Sequence, residues 1–148
     1  MWYNLNMDLN NLVLDISEVF RKTYSIIRTK PYATVKVRFA QQGEGAGKVI
    51  EELIALTIIN EGFGVIDVQK VWFLTSYNRP IYSESIDSKM PIKVLENDRA
   101  TYFIPIEELK MLLNRSAGET ITRAVVLDKA EHKYEGRVDK VAQEEFTK

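Results

Sequence analysis

The sequence ATVKVRFAQQGEGAGKVIEELIALTIIN, residues 33–60, has two runs of strand character on either side of a glycine-rich loop. In residues 34–39 apolar and charged side chains alternate, which is the two-residue period of a strand with one buried face. Residues 53–60 are a nearly continuous apolar run rich in β-branched side chains, which also favours a strand. The stretch therefore predicts two strands joined by a loop, in a domain built mainly from β-structure.

The loop between these runs, GEGAGKVIEEL at residues 43–53, has the glycine content of a phosphate-binding loop without its spacing. A Walker loop ending at Gly47 and Lys48 would need glycine at 42 and a hydroxyl at 49, where the chain has Gln42 and Val49. The dinucleotide pattern GxGxxG would need a further glycine at position 48. We therefore expect a flexible loop between two strands, and we predict no cofactor and no cofactor-binding residue.

N-terminal to this stretch, residues 8–28 carry apolar side chains at helical spacing. The apolar stripe is made of Leu9, Leu12, Val13, Ile16, Val19, Phe20 and Ile27. Spacings of three and four place these residues on one face, which predicts an amphipathic helix within residues 1–30. Pro31 ends it, because the residue before a proline is disfavoured in helical geometry. We expect Leu12, Ile16 and Phe20 to be covered by the rest of the domain or by a partner.

The residues after 60 form short β-rich segments separated by turn signals. Predicted strands cover residues 65–74, 81–86 (an edge strand), 91–95, 101–106, 120–128 and 133–138, and a predicted short helix covers 107–114. Within residues 65–74 the apolar positions change parity near Gln69, which indicates a β-bulge or a strand buried on both faces. Strands at intervals of about 8–12 residues are typical of an antiparallel sandwich or barrel. We expect one β-sandwich domain of about seven strands over residues 31–140, with a charged tail, 141–148, that is a short helix or frayed.

Composition excludes several classes of function. The 148 residues include 20 basic and 21 acidic side chains, so the net charge of -1 offers no strong field to attract nucleic acid or an anionic membrane. The chain has no cysteine, which excludes disulfides and thiolate metal sites and fits a reducing compartment such as the cytoplasm. It contains no apolar run of about 18 residues, so we expect no membrane span.

Catalytic and metal-binding patterns are missing from the sequence. His132 is the only histidine and falls in a predicted turn, which rules out a multi-histidine metal site within one chain. Asp67, Asp98 and Asp128 also lie at or near turns, where aspartate commonly bonds its own backbone. We therefore predict no catalytic residue and no metal ligand. Among the aromatic residues, Trp72, Tyr82 and Tyr102 are candidates for an exposed, adhesive sheet face, although core packing is the more usual role of such side chains.

The second half of the chain resembles a known type of domain. The segments TIINEGFGVIDVQKVWFL, MPIKVLENDRATYFIPIEELKMLL and ITRAVVLDKAEHKYEGRV look like the immunoglobulin-like β-sandwich domain of many uncharacterised bacterial and phage proteins. The positions that carry the resemblance are Asn60, Gly62, Pro91, Asp98, Tyr102, Leu109, Asp128 and Tyr134. One departure is the last turn, where residues 129–132, KAEH, lack the usual glycine. The resemblance implies an immunoglobulin-like sandwich and carries no catalytic residue with it.

These observations favour a non-enzymatic protein-binding or assembly module. Sheet edges can accept a partner strand, and the N-terminal apolar stripe needs a cover. Two alternatives stay open. One is a sandwich that binds a small ligand or carbohydrate through Trp72 and nearby tyrosines; the other is an enzyme subunit whose site combines loop carboxylates and tyrosines. We expect a protein partner or self-association, no nucleic acid and no membrane contact, and we make no prediction about a small-molecule ligand.

Overall fold

The computed structural model of the chain describes residues 32–148. The predicted amphipathic helix within residues 1–30, with Leu12, Ile16 and Phe20 on its stripe, lies outside the described residues. The remainder is mainly β-structure, as the sequence predicts.

Eight strands and four short helical segments follow one another along residues 33–145. The strands are β1 Ala33–Glu44, β2 Lys48–Asn60, β3 Ile66–Thr75, β4 Pro80–Ile81, β5 Ile92–Val94, β6 Arg99–Pro105, β7 Ile121–Asp128 and β8 Lys133–Arg137. The helices are α1 Glu84–Asp87, α2 Ile106–Lys110 and α3 Lys140–Glu145, and a 3-10 turn spans Arg115–Ala117. The predicted short helix before the penultimate strand is therefore confirmed as α2, although it is shorter than expected.

The strands form two antiparallel sheets, which fits a β-sandwich. The first sheet has the order β1-β2-β6. The second has the order β4-β3-β7-β8, and β5 pairs with the same edge of β3 as β4 but at its other end. Both sheets contribute to a single apolar core.

The long hairpin of β1 and β2 confirms the interpretation of the glycine loop. The strands pair from Ala33 opposite Asn60 to Glu44 opposite Lys48, and residues 45–47 form the turn. Ala46 and Gly47 have φ angles of 71° and 75°, which is the left-handed backbone that tight hairpin turns require. The loop reverses the chain within one sheet, and it is not the start of a helix.

Successive side chains of a strand point to opposite faces of the sheet, and this alternation determines which of them enter the core. On β2 Ile54, Leu56 and Ile58 are fully buried, while the residues between them are less buried. On β3 the register shifts between Val68 and Lys70, which confirms the bulge predicted near Gln69. The extra residue lets both halves of β3 turn apolar side chains inward, namely Ile66, Val68, Val71 and Phe73.

The prediction of an edge strand over residues 81–86 is wrong beyond its first residue. Only Pro80 and Ile81 pair with β3, and α1 follows at Glu84–Asp87. The reason is a local cap, because the Ser83 hydroxyl accepts a hydrogen bond from the amide of Ile86. Ile86 is thereby turned into the core from a helix.

The two sheets meet where β8 passes beside β1. Val37 and Val138 form a parallel bridge, and a Cβ on Gly136 would lie 2.0 Å from the carbonyl oxygen of Val35. Gly136 therefore permits a backbone approach that no other residue would allow. The chain then turns into α3, which is the helical alternative for the charged tail, and Phe146 just beyond it is buried in the core.

Candidate binding surface

The outer face of the second sheet carries a layer of side chains above the core. Trp72 of β3, Val125 of β7 and Glu135 of β8 are cross-strand neighbours and so share one face. Their strand neighbours Phe73, Ala124 and Gly136 point into the sandwich, which places this row outside. Val125 is nevertheless only 1% exposed, although it does not belong to the core cluster. Side chains on the outer face must therefore cover it.

Two aromatic rings on this face lie beneath lysine ammonium groups. Lys133 Nζ is 5.8 Å from the ring centroid of Trp72, and Lys70 Nζ is 6.0 Å from that of Tyr82. These distances are within the range of cation–π attraction. Tyr82 comes level with Trp72 when the β3–β4 register is continued by one residue, and it is 47% exposed. We call Lys70, Trp72, Tyr82, Val125 and Lys133 the aromatic face.

The third aromatic candidate lies elsewhere. Tyr102 belongs to β6 of the first sheet and pairs with the fully buried Leu56, so its ring points toward the core at the sheet edge. Burial raises the pKa of the Tyr102 phenol, and Lys89 Nζ lies 5.5 Å from the ring centroid. The structure thus brings Trp72 and Tyr82 together and separates them from Tyr102.

A polar cavity of about 560 Å³ opens on β7, β8 and α3. Its lining residues are Thr122, Arg123, Glu135, Gly136, Arg137 and Gln143. Within it, Arg123 Nη1 is 3.2 Å from Glu135 Oε2, and Arg123 Nη2 is 3.5 Å from Asn78 Oδ1. Because Glu135 is the cross-strand neighbour of Val125, the cavity adjoins the aromatic face. We call it the arginine cavity.

A buried carboxylate joins two loops at the opposite end of β7 from Asp128. Glu119 is 2% exposed and accepts hydrogen bonds from the Thr75 hydroxyl at 2.7 Å, from the Asn114 amide at 2.8 Å and from the Arg79 guanidinium. These donors, Arg79 first, lower the pKa of Glu119 to about 2 despite its burial. The group is thus ionised at neutral pH and cannot act as a general acid there. Its geometry supports a structural role.

The lone histidine takes part in a second carboxylate cluster. The Asp128 carboxylate accepts bonds from the His132 amide at 2.8 Å and the Tyr134 hydroxyl at 2.9 Å, and His132 Nδ1 lies 3.2 Å away. Burial, together with the bond to Asp128, raises the pKa of the Tyr134 phenol well above its ordinary value, so this phenol stays protonated. His132 is exposed. Asp128 therefore organises its own turn, as expected for an aspartate at a strand end.

The loop aspartates do not gather into one site. Asp67 and Asp128 share a shallow hollow of about 330 Å³ with Val65, whereas Asp98 accepts a hydrogen bond from the amide of Arg99 in another loop. Among residues 32–148 no group of three or more histidine or carboxylate side chains is placed to hold a metal ion. Nor does any helix in this part of the chain have the length and apolarity needed to cross a membrane.

Sequence reasoning missed the arginine cavity and the Glu119 cluster. The Glu119 cluster joins residues far apart in the chain, since Thr75 and Glu119 are separated by 44 positions, and the arginine cavity depends on the register of the last hairpin. The arginine cavity had one local signal, because Arg123 and Arg137 both occur within predicted strands of an amphipathic hairpin. Comparisons with protein-family models, with curated proteins and with solved structures found no match for this chain.

Proposed function

We propose that this chain is a non-enzymatic protein-binding module that uses the aromatic face to hold an acidic, partly apolar segment of a partner. The observation that supports this most directly is the Lys133 ammonium near the ring of Trp72, which is itself the cross-strand neighbour of the buried Val125. Tryptophan and tyrosine are among the side chains most enriched at the energetic centres of protein interfaces.

Charge complementarity identifies the chemistry of the partner. The outward charged residues of β7 and β8 are Arg123, Lys133, Glu135 and Arg137, three cations against one acid. Lys70 adds a further cation on β3. The outer face of the second sheet is therefore basic although the net charge of the whole chain is nearly zero. An acidic segment would be attracted to this face. Apolar side chains of the same segment would pack on the Trp72 and Tyr82 rings.

We also assign the sandwich to the immunoglobulin-like type, on the sequence resemblance together with two antiparallel sheets. We propose the cytoplasm as its location, because a chain without cysteine fits a reducing compartment. The alternative of an enzyme subunit receives less support, because the Glu119 carboxyl has its pKa lowered rather than raised.

A peptide pair tests the proposal. A labelled 12-residue peptide of glutamate and leucine is titrated against the protein by fluorescence anisotropy, next to its lysine and leucine counterpart. We expect binding of the acidic peptide that weakens as salt is added, because exposed charges are screened within about 10 Å at 0.1 M ionic strength. Binding of both peptides alike would contradict the proposal.

Matched variants locate the binding surface. Trp72→Leu and Lys133→Glu should weaken binding of the acidic peptide, whereas Lys36→Glu should not. Lys36 is an exposed strand residue of the first sheet, so its replacement changes the net charge equally on the other side of the sandwich. Equal losses for Lys36→Glu and Lys133→Glu would refute the assignment to the aromatic face. Light scattering over a concentration series reports self-association in the same samples.

A further inference from the structure

Two arginines stand directly opposite each other on neighbouring strands. Arg123 of β7 and Arg137 of β8 are cross-strand partners, and their side chains leave the same outer face of the second sheet. Side chains in this relation have Cβ atoms about 4.5–5.5 Å apart, and like charges placed so are unfavourable to the sheet. A sequence selected for stability alone would pair one arginine with an acid here.

Only one of the two arginine charges, that of Arg123, is paired with a neighbouring acidic side chain. Arg123 pairs with Glu135 and also reaches Asn78. Arg137 is exposed, and none of the acidic side chains that the structure describes lies within ion-pair distance of it. The arginine cavity thus holds two guanidinium groups and one carboxylate, which leaves one positive charge without a counterpart in the described part of the chain.

The walls of the arginine cavity are held in position by bonds to the backbone. The Thr122 hydroxyl donates to the carbonyl of Leu74, and Gln143 Nε2 donates to the carbonyl of Val138. Gly136 also lines the cavity, next to Arg137, and it cannot gain a side chain because β1 lies immediately behind it. The cavity volume of about 560 Å³ is in the usual range for ligand sites.

We propose that the arginine cavity binds a single carboxylate group, held by the Arg137 guanidinium with Arg123 beside it. A guanidinium presents parallel N–H groups that match the two oxygens of a carboxylate. One monoanion would neutralise the site, whereas a phosphate dianion would leave excess negative charge next to Glu135. The site stands independently of the proposed function, since the carboxylate belongs either to a small molecule or to an acidic residue of a partner.

The first experiment follows the arginine Nε–Hε signals by NMR while acetate is added. Acetamide, which has the same shape without the charge, and sodium chloride at equal ionic strength are the controls. We expect acetate to shift the Arg137 and Arg123 signals along a saturating curve, and the controls to leave them nearly unchanged. Linear shifts of the same size with acetate and chloride would overturn the proposal.

Variants separate a binding role from a structural one. Arg137→Gln should weaken acetate binding by about tenfold, since a hydrogen bond to a charged group is at stake. Its melting temperature should be no lower than that of the parent, because the change relieves the repulsion between Arg123 and Arg137. Arg38→Gln, an exposed strand arginine of the first sheet, is the matched control and should bind acetate normally. Unchanged acetate affinity of Arg137→Gln would refute the site.

The source of the carboxylate is decided with N-acetylglutamate and the glutamate and leucine peptide. If Arg137→Gln and Trp72→Leu both weaken peptide binding, the carboxylate belongs to a protein partner. If Arg137→Gln weakens binding of N-acetylglutamate but not of the peptide, the ligand is a small carboxylate. If Arg137→Gln weakens peptide binding but Trp72→Leu leaves it unchanged, the result contradicts the proposed function and still supports the carboxylate site.

Discussion

Replacement of Glu119 by alanine should destabilise the protein more than any change to a surface ion pair. The carboxylate is 2% exposed and is the common acceptor for the Thr75 hydroxyl, the Asn114 amide and the Arg79 guanidinium. These donors come from the end of β3 and the turn after it, and from the loop that precedes β7. Glu119 is the one carboxylate that these three donors share, and the other links between the two loops are single bonds, such as that from Arg79 to the carbonyl of Leu112 and that from the Ser76 amide to the carbonyl of Thr120.

The size of the effect follows from which donors lose their acceptor. The buried Thr75 hydroxyl and the Asn114 amide would each lose a bond worth about 1–3 kcal/mol when a donor is left unsatisfied, whereas the half-exposed Arg79 can bond to water. Since water enters part of the space left behind, we expect a total loss of about 3 kcal/mol. Glu135→Ala, which breaks the exposed pair with Arg123, should cost only about 0.2–1 kcal/mol.

Urea unfolding followed by circular dichroism measures both variants. The loss should also depend on pH. Because the folded pKa of Glu119 is lowered to about 2 from 4.5, its contribution is complete above pH 4.5 and is lost as the pH falls toward 2. The stabilities of the parent and Glu119→Ala should therefore converge in acid. A difference below about 1 kcal/mol at pH 7 would refute this account of the cluster.

Three further changes test the packing. Gly136→Ala should cost about 3 kcal/mol, because the added carbon would lie 2.0 Å from a backbone oxygen of β1; Gly45→Ala, with no atom within 4 Å, is its control, and equal urea midpoints would contradict the prediction. Phe146→Ala should cost about 3–5 kcal/mol in the same assay, and a loss below about 1 kcal/mol would mean that this ring contributes little to the core. Tyr134→Phe should cost about 1.5 kcal/mol through the lost bond to Asp128. In an ultraviolet pH titration it should also remove the phenol whose pKa is raised most, and an unchanged titration curve would contradict this.

Local patterns predicted those parts of the fold that depend on local geometry. The β1–β2 hairpin and the bulge near Gln69 follow from alternation and from a change in its parity, both of which can be read within ten residues. The edge strand over residues 81–86 failed for an equally local reason. Ser83 caps a helix, and the prediction of a strand considered only the apolar residues around it and not this capping role.

The positions of several candidate residues depend on which strands pair, and the sequence alone did not reveal that pairing. Tyr102 looked equivalent to Tyr82, but β6 pairs with β2 whereas β4 pairs with β3, so the two rings lie on different sheets. Glu119 lies in a polar turn with no local sign of burial, and two of its three partners, Arg79 and Thr75, are 40 and 44 residues away. Arg123 and Arg137 were visible as strand residues, yet only the register of the last hairpin sets them face to face.

The meeting of β1 with β8 has a consequence for synthesis in the cell. The first strand of the sandwich obtains its neighbour in the other sheet from residues made about a hundred positions later, at Val138 and Gly136. On the ribosome the β1–β2 hairpin can form early, whereas the join between the sheets must wait until β8 and Phe146 have emerged. A nascent chain stalled before β8 would expose the inner face of β1 and would be a substrate for chaperones or proteases.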